Sequence, residues 1–171
     1  MKGGQMNKSL VYLATPYSHP DRAVRVQRFE IANRVAAEMM RAGIHVFSPI
    51  SHTHPIAEAG ELPKGWEYWE AYDRAILVAC VEVCVLQQNG WEESIGVTAE
   101  IAIAKEMGLP ITYREVRMWT CKWCEMYGVY PLSKADRPDE EEPVITDEGD
   151  KICQECARKW REAKRKKQAA K

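Results

Sequence analysis

The chain has 171 residues and a formal net charge of −1, from 24 Lys and Arg against 25 Asp and Glu; 46% of its residues are hydrophobic and 29% charged. That balance excludes a disordered chain, and without a run of about 18 apolar residues it excludes a membrane-spanning helix. Met1–Ser9 is polar and lacks the character of a signal peptide, so a cytoplasmic location is expected.

The first 115 residues read as alternating strands and helices. Leu10–Ala14 is a short apolar strand. Ser18-His19-Pro20-Asp21 has the pattern of a helix start, with Ser18 as the N-cap, and the helix runs to about Arg41 with Val24, Ile31, Val35 and Met39 on its inner stripe. Gly43 stops it. Ile44–Phe47 is the second strand. Ser48–Gly65, with three prolines, reads as a loop. A second helix spans about Trp66–Ala79, a third strand Glu82–Gln87, a third helix Gly96–Met107 ended by Gly108, and a fourth strand Ile111–Tyr113. This alternation predicts an α/β fold: a doubly wound parallel sheet of four to five strands, flavodoxin- or Rossmann-like, with ligands bound beyond the carboxyl ends of the strands. A boundary near Glu115–Met118 separates residues 1–115 from a segment of a different kind, residues 116–171.

Two acids break the amphipathic pattern. Trp66, Trp69, Asp73 and Ile76 share one stripe of the second helix, and Val97, Glu100, Ile101 and Ala104 share one stripe of the third. An inward carboxylate is costly unless paired, hydrogen-bonded or neutral, and such groups often mark sites. The structural alternatives are that Asp73 pairs with Arg74, that Glu100 favours a helix N-terminus, and that Ser94 is only an N-cap. Trp66 and Trp69 are either core or a platform for a base. His52 and His54 lie in a stretch with no carboxylate pattern to complete a metal set, so they are ligand contacts or plain loop residues. Cys80 and Cys84, in an apolar stretch, read as buried inert thiols.

Val11-Tyr12-Leu13-Ala14-Thr15-Pro16-Tyr17-Ser18, Asp73 on a middle helix, and Ser94-Ile95-Gly96-Val97-Thr98-Ala99-Glu100-Ile101 before Gly108-Leu109-Pro110-Ile111 resemble the nucleoside 2-deoxyribosyltransferase-like superfamily, which includes deoxynucleoside 5′-monophosphate N-glycosidases. The likeness extends to a phage-associated branch with a Tyr-Ser-His-Pro opening and covers residues 10–114. It implies that Glu100 is a nucleophile at C1′ of a 2-deoxyribose, that Asp73 is the acid assisting the leaving base, and that Tyr12 positions the nucleophile. It implies that Ser94, the backbone near Gly96 and Ser18 contact substrate, and Tyr17, His54 and Trp69 are further candidate substrate contacts. Ser rather than Asp at position 94 favours a nucleotide over a nucleoside, because a hydroxyl at a helix N-terminus can donate to a phosphate; Glu92 and Glu93 beside it act against this. The expected function is cleavage or exchange of the N-glycosidic bond of a 2′-deoxynucleoside 5′-monophosphate, in a homo-oligomer. A nucleotide sensor without catalysis, its tail binding protein or nucleic acid, is the second reading.

The tail holds Cys121-x2-Cys124 and Cys153-x2-Cys156, separated by 28 residues. Four thiolates suit a closed tetrahedral zinc site, hence a structural one in a zinc-ribbon-like segment. No organic cofactor is expected. Trp119, Trp123, Tyr127 and Trp160 are expected to pack round the metal. The tail's charges are segregated: Asp136–Asp150 holds eight acids against one Arg and reads as a solvated loop, and Arg158–Lys171 holds eight bases against Glu162. The cluster Lys164–Lys167 is either a nucleic-acid contact or a solvated helix end.

Overall fold

The computed structural model describes residues 10–116, 118–120, 127–129, 144–146, 150–152, 156–159, 161–162 and 165. The chain divides into two compact units, Met1–Glu115 and Val116–Lys171.

In the first unit, strands β1 (Leu10–Ala14), β2 (His45–Phe47), β3 (Glu82–Gln87) and β4 (Ile111–Glu115) form one sheet in the order β2-β1-β3-β4, and every pairing is parallel. The register sets Tyr12 beside Val83 and Ala14 beside Val85. From the central β1 the chain moves to one edge through β2, then crosses back to β3 and proceeds to the other edge. Right-handed crossovers in opposite directions put helices on both faces. Helix α1 (Arg22–Arg41) packs with α2 (Pro49–Ala59), and α3 (Trp66–Leu77) packs with α4 (Ile95–Glu106). The doubly wound α/β expectation therefore holds, with four strands.

Strand alternation gives Tyr12, Ala14, Val83 and Val85 one face, where they pack with Leu77, Cys80, Val97, Ile103 and Ala104. Each such buried aliphatic side chain contributes about 1.5–3 kcal/mol relative to exposure. Ile31, Val35 and Met39 of α1 are buried as expected, while Val24 is half-buried. Gly43 and Gly108 follow α1 and α4 at positive φ, and the next amides, Ile44 N–H and Leu109 N–H, reach back to Met39 and Ala104 carbonyls.

Two expectations are corrected. Asp21, not Ser18, caps α1: its carboxylate accepts from the Ala23 amide at 2.8 Å, while Ser18 donates to the Lys64 carbonyl at 2.9 Å. The cap thus falls at the residue next to the first helical turn, and the proline lies before it. The stretch read as a loop contains α2. Ser48 caps it by accepting from the Ser51 amide, and Pro49 stands in its first turn, where a missing N–H costs nothing. Pro55 lies inside α2 and forgoes one helical hydrogen bond.

In the second unit, β5 (Met118–Thr120) pairs antiparallel with β6 (Tyr127–Val129), and β7 (Val144–Ile145) with β8 (Lys151–Ile152); β5 lies close to β8. The β7–β8 hairpin corrects part of the solvated-loop expectation for 136–150. Next to this pairing, the Thr146 amide donates to the Asp150 carbonyl at 3.0 Å and the Asp150 amide to Thr146 Oγ1 at 3.1 Å. Residues 156–159 are helical, with Cys156 and Ala157 buried. Among the described residues no helix is long and apolar enough to cross a membrane.

Candidate active site

The order β2-β1-β3-β4 reverses direction between β1 and β3, and such a switch point leaves a crevice at the strands' carboxyl ends. A cavity of about 390 Å³ opens there. Thr15, Tyr17 and Ser18 come to it from the end of β1, Thr53 and His54 from α2, Trp66, Trp69 and Asp73 from α3, and Ser94, Gly96 and Glu100 from the start of α4.

Tyr12 points from β1 toward the α3–α4 face and is wholly buried; its hydroxyl donates to Glu100 Oε1 at 2.7 Å. Glu100 is 5% exposed and Asp73 6%. Glu100 Oε2 and Asp73 Oδ1 have no hydrogen-bond partner. Burial pushes the Asp73 carboxyl up to about 6, against a smaller opposing effect of the Tyr12 hydroxyl. Burial also raises Glu100 well above the usual carboxylate range; the Tyr12 hydrogen bond opposes this and the Asp73 charge adds to it. Burial, then Glu100 and Asp73, raise the Tyr12 phenol, which therefore stays a donor. The Asp73 charge acts on Glu100, so the two titrations are linked. Arg74 does not neutralise Asp73, because it turns to Glu70 at 3.0 Å and Glu106 at 3.3 Å. Among the described residues neither buried carboxylate has a cationic partner.

Ser94 caps α4, its Oγ accepting from the Val97 amide at 3.4 Å, which leaves the hydroxyl proton for another acceptor. Cap and cavity wall are thus the same residue, and the first turn of α4 presents its positive end to the cavity. Opposite, the Tyr17 hydroxyl lies 2.6 Å from His54 Nδ1, and the His54 ring stacks on Phe29 with centroids 4.3 Å apart. Burial lowers the His54 pKa and raises that of Tyr17, which keeps both neutral.

Residues 9–116 match the model of a family described as Domain of unknown function (DUF1937). The chain belongs to the DUF1937 family. No curated protein matches it.

Within the DUF1937 domain, Tyr17, Ser18, His54, Trp69, Asp73, Ser94, Gly96 and Glu100 line one cavity, with Tyr12 directly behind Glu100. Ser18 is spent on the Lys64 carbonyl, and the Trp69 indole N–H on the Pro63 carbonyl at 2.8 Å, so both brace the 60–65 loop as well as lining the cavity. Trp66 is both platform and core: it lines the cavity and packs against the buried cluster. His52 is exposed, stacks on Tyr72 with rings 8° from parallel, and does not line the cavity. Cys80 and Cys84 are buried, and burial raises both thiols, as inert thiols require.

Glu93, expected beside Ser94, lines the cavity with it, while Thr15, Thr53, Lys64 and Glu67 line it without having been singled out by sequence reasoning. The Ser48-Pro49 pair was the signal for α2 and hence for Thr53; a loop lysine carries no periodic signal.

Of the four tail cysteines, Cys121, Cys124 and Cys153 lie outside the described residues, as do Trp123, Trp160 and the side chains of Trp119 and Tyr127. Cys156 is buried. Among the described residues, no three His, Cys, Asp or Glu side chains come together as a metal site.

Proposed function

We propose that the DUF1937 domain cleaves or exchanges the N-glycosidic bond of a 2′-deoxynucleoside 5′-monophosphate, as a member of the nucleoside 2-deoxyribosyltransferase-like superfamily. The observation that carries this reading is the pair of buried, unpartnered carboxylate oxygens, Glu100 Oε2 and Asp73 Oδ1, on a cavity wall with a phenol fixing Glu100 from behind. A cavity of about 390 Å³ suits a ligand of nucleotide size.

In this reading substrate binding leaves one proton on the pair, on Asp73, and ionises Glu100, whose carboxyl burial otherwise holds protonated. Glu100 Oε2 attacks C1′ as the C1′–N bond breaks. The bonding electron pair goes to the base, and Asp73 gives that base its proton. The product of this half is a deoxyribosyl ester of Glu100. Water, deprotonated by Asp73, or a second base then attacks C1′ from the opposite side, and Glu100 leaves as carboxylate with overall retention. Tyr12 stabilises the carboxylate form that attacks and departs. The 5′-phosphate sits at Ser94 and the first turn of α4; Lys64 also lines the cavity, its ammonium paired with Glu58 at 3.1 Å, and Glu93 and Glu67 hold this affinity down.

Incubation with a panel of deoxynucleoside monophosphates, with chromatography for free base, tests the proposal. Base release should vanish in Glu100→Ala, and intact-mass analysis should find a deoxyribosyl phosphate adduct on the wild-type chain. Absence of release from every deoxynucleotide would sink it. The nucleotide-sensor reading draws on the same burial, since a protonated Glu100 is a weak nucleophile. Binding without turnover, unchanged in Glu100→Gln, would favour it.

For the tail, we infer a structural zinc site of Cys121, Cys124, Cys153 and Cys156. In support, β5 ends one residue before Cys121 and β8 one residue before Cys153, and those two strands lie close together. The same reading holds the chain to be a cytoplasmic homo-oligomer, to be checked by sedimentation. A nucleic-acid contact through Lys164–Lys167 would be seen as salt-dependent binding lost on removing residues 157–171.

A further inference from the structure

Two parts of the cavity wall come from separate loops, one after β1 and one after β3, and the Arg28 side chain joins those loops. Arg28 lies on α1, outside the cavity lining. Its Nη1 donates to the Ser18 carbonyl at 2.9 Å and its Nη2 to the Asn89 carbonyl at 3.1 Å. Ser18 passes the connection on through its own hydroxyl to Lys64, and Trp69 ties the same loop to α3 through Pro63. On the other side, the turn that follows Asn89 runs through the Trp91 amide bonded to Gln88 and the Ser94 amide bonded to Trp91, and so delivers Ser94 to the start of α4. The backbone makes room for the guanidinium. Gly90 has φ +83°, and a Cβ there would lie 2.6 Å from Arg28 Nη2.

We propose that Arg28 is a positioning residue that sets the spacing between the Tyr17–Ser18 wall and the Ser94–Gly96 wall of the cavity. The requirement is geometric. A planar guanidinium presents two donors at a fixed angle to two carbonyls, which the point charge of a lysine does not reproduce. Gly90 belongs to the same device, because any side chain there displaces the guanidinium. The consequence for substrate fit rests on the reading given under Proposed function; the coupling of the two loops does not.

The test uses the full-length chain and four variants: Arg28→Met, which keeps the apolar stem, Arg28→Lys, Gly90→Ala, and the Arg28→Met/Gly90→Ala double variant. Amide hydrogen exchange is followed by mass spectrometry over 15–21 and 88–95, with 82–87 as the core reference. Arg28→Met should speed exchange in both loops by about tenfold, the scale of one lost charge-assisted hydrogen bond, with the core unchanged. Arg28→Lys should not restore them. Gly90→Ala should speed the 88–95 loop in any background, because φ +83° strains any side chain, but its effect on 15–21 should disappear in the double variant, where the guanidinium is already gone. With deoxynucleotide as substrate, KM should rise about tenfold in Arg28→Met while kcat stays within about threefold, since both walls bind ground and transition states alike. Unchanged exchange in either loop of Arg28→Met, full rescue by Lys, or an effect of Gly90→Ala on 15–21 that persists in the Arg28→Met background would each overturn the assignment. A wild-type chain that turns over no deoxynucleotide defeats the functional reading alone, and the exchange measurement still decides the role of Arg28.

Discussion

The Tyr12 hydroxyl and Glu100 Oε1 meet at 2.7 Å, although the two residues are 88 positions apart, on a strand and a helix. Among the described residues the phenol supplies the one hydrogen bond to the buried Glu100 side chain, whose other oxygen has no partner. Tyr12→Phe keeps the ring's packing and removes this donor. Unfolding free energy should fall by about 1–3 kcal/mol, the cost of leaving a buried acceptor unsatisfied. Under the proposed mechanism kcat should fall about 100-fold, the usual effect of removing one donor to a developing or departing anion. Thermal melts and steady-state rates check both. A variant within about threefold of wild type in kcat would remove Tyr12 from the mechanism.

Asp73 makes stability depend on pH. Its carboxyl titrates near 3.8 when unperturbed and at about 6 in the folded chain. The folded state therefore binds the proton more tightly, and folding takes up a proton between those two values. The contribution to stability is present in full at acid pH and is lost as pH rises to about 6, by about 3 kcal/mol for a shift of this size. Asp73→Asn stays neutral and lacks that loss. Chemical denaturation at pH 5 and pH 8 should show the Asn variant gaining stability on wild type as pH rises. The same variant should lose about 100-fold or more in base release, because its amide has no proton to give. Equal pH slopes for the two proteins would contradict the burial of an ionising Asp73.

Ser94 serves as helix cap and cavity wall, so two substitutions separate its roles. Ser94→Ala loses the cap and should cost about 1 kcal/mol of stability. Ser94→Asp retains a capping side chain but places a charge at the proposed phosphate position. It should melt near the wild type while the ratio of kcat/KM for deoxynucleotide over deoxynucleoside falls at least about tenfold, about 1.4 kcal/mol of charge repulsion. A ratio unmoved by the aspartate would put the phosphate elsewhere.

The tail's cysteines make a prediction about metal content. Purified chain should carry one zinc per molecule by atomic absorption, and Cys156→Ser should abolish stoichiometric binding. A chelator should lower the melting temperature of the second unit's transition and leave the DUF1937 domain's transition in place. Zinc should also be released on acidification, because the ligands are thiolates that must take up protons to let go. A metal-free chain with an unchanged melt would exclude the site.

Much of this architecture is legible in the sequence, because strand alternation and helical stripes are set by the sheet and the core they cover. Asp73 and Glu100 stand out for the same reason: each occupies a position where periodicity demands an apolar side chain. Tyr12 does not stand out, since a tyrosine in an apolar strand obeys the pattern, and its role came from resemblance. Helix α2 was hidden by its prolines; one falls where the helix needs no donor and another is tolerated inside it. The N-terminus of α1 was misplaced because Ser18 and Asp21 both have capping chemistry, and only the loop geometry, with Ser18 reaching Lys64, decides between them. Arg28 reads along the helix as one more solvated cation. Its two carbonyl partners lie 10 and 61 positions away, beyond the reach of any local pattern.

The long separation between Tyr12 and Glu100 bears on how the protein acquires its chemistry. A phenol on the first strand finds its carboxylate only after two crossovers have formed and α4, within the third, has docked, the slow kind of contact in chain folding. Under the proposed mechanism a partly folded chain can therefore be compact and helical yet inert, with Glu100 unheld by Tyr12. Recovery of base release during refolding should lag behind recovery of helical signal, which makes catalysis a clock for the last step of assembly.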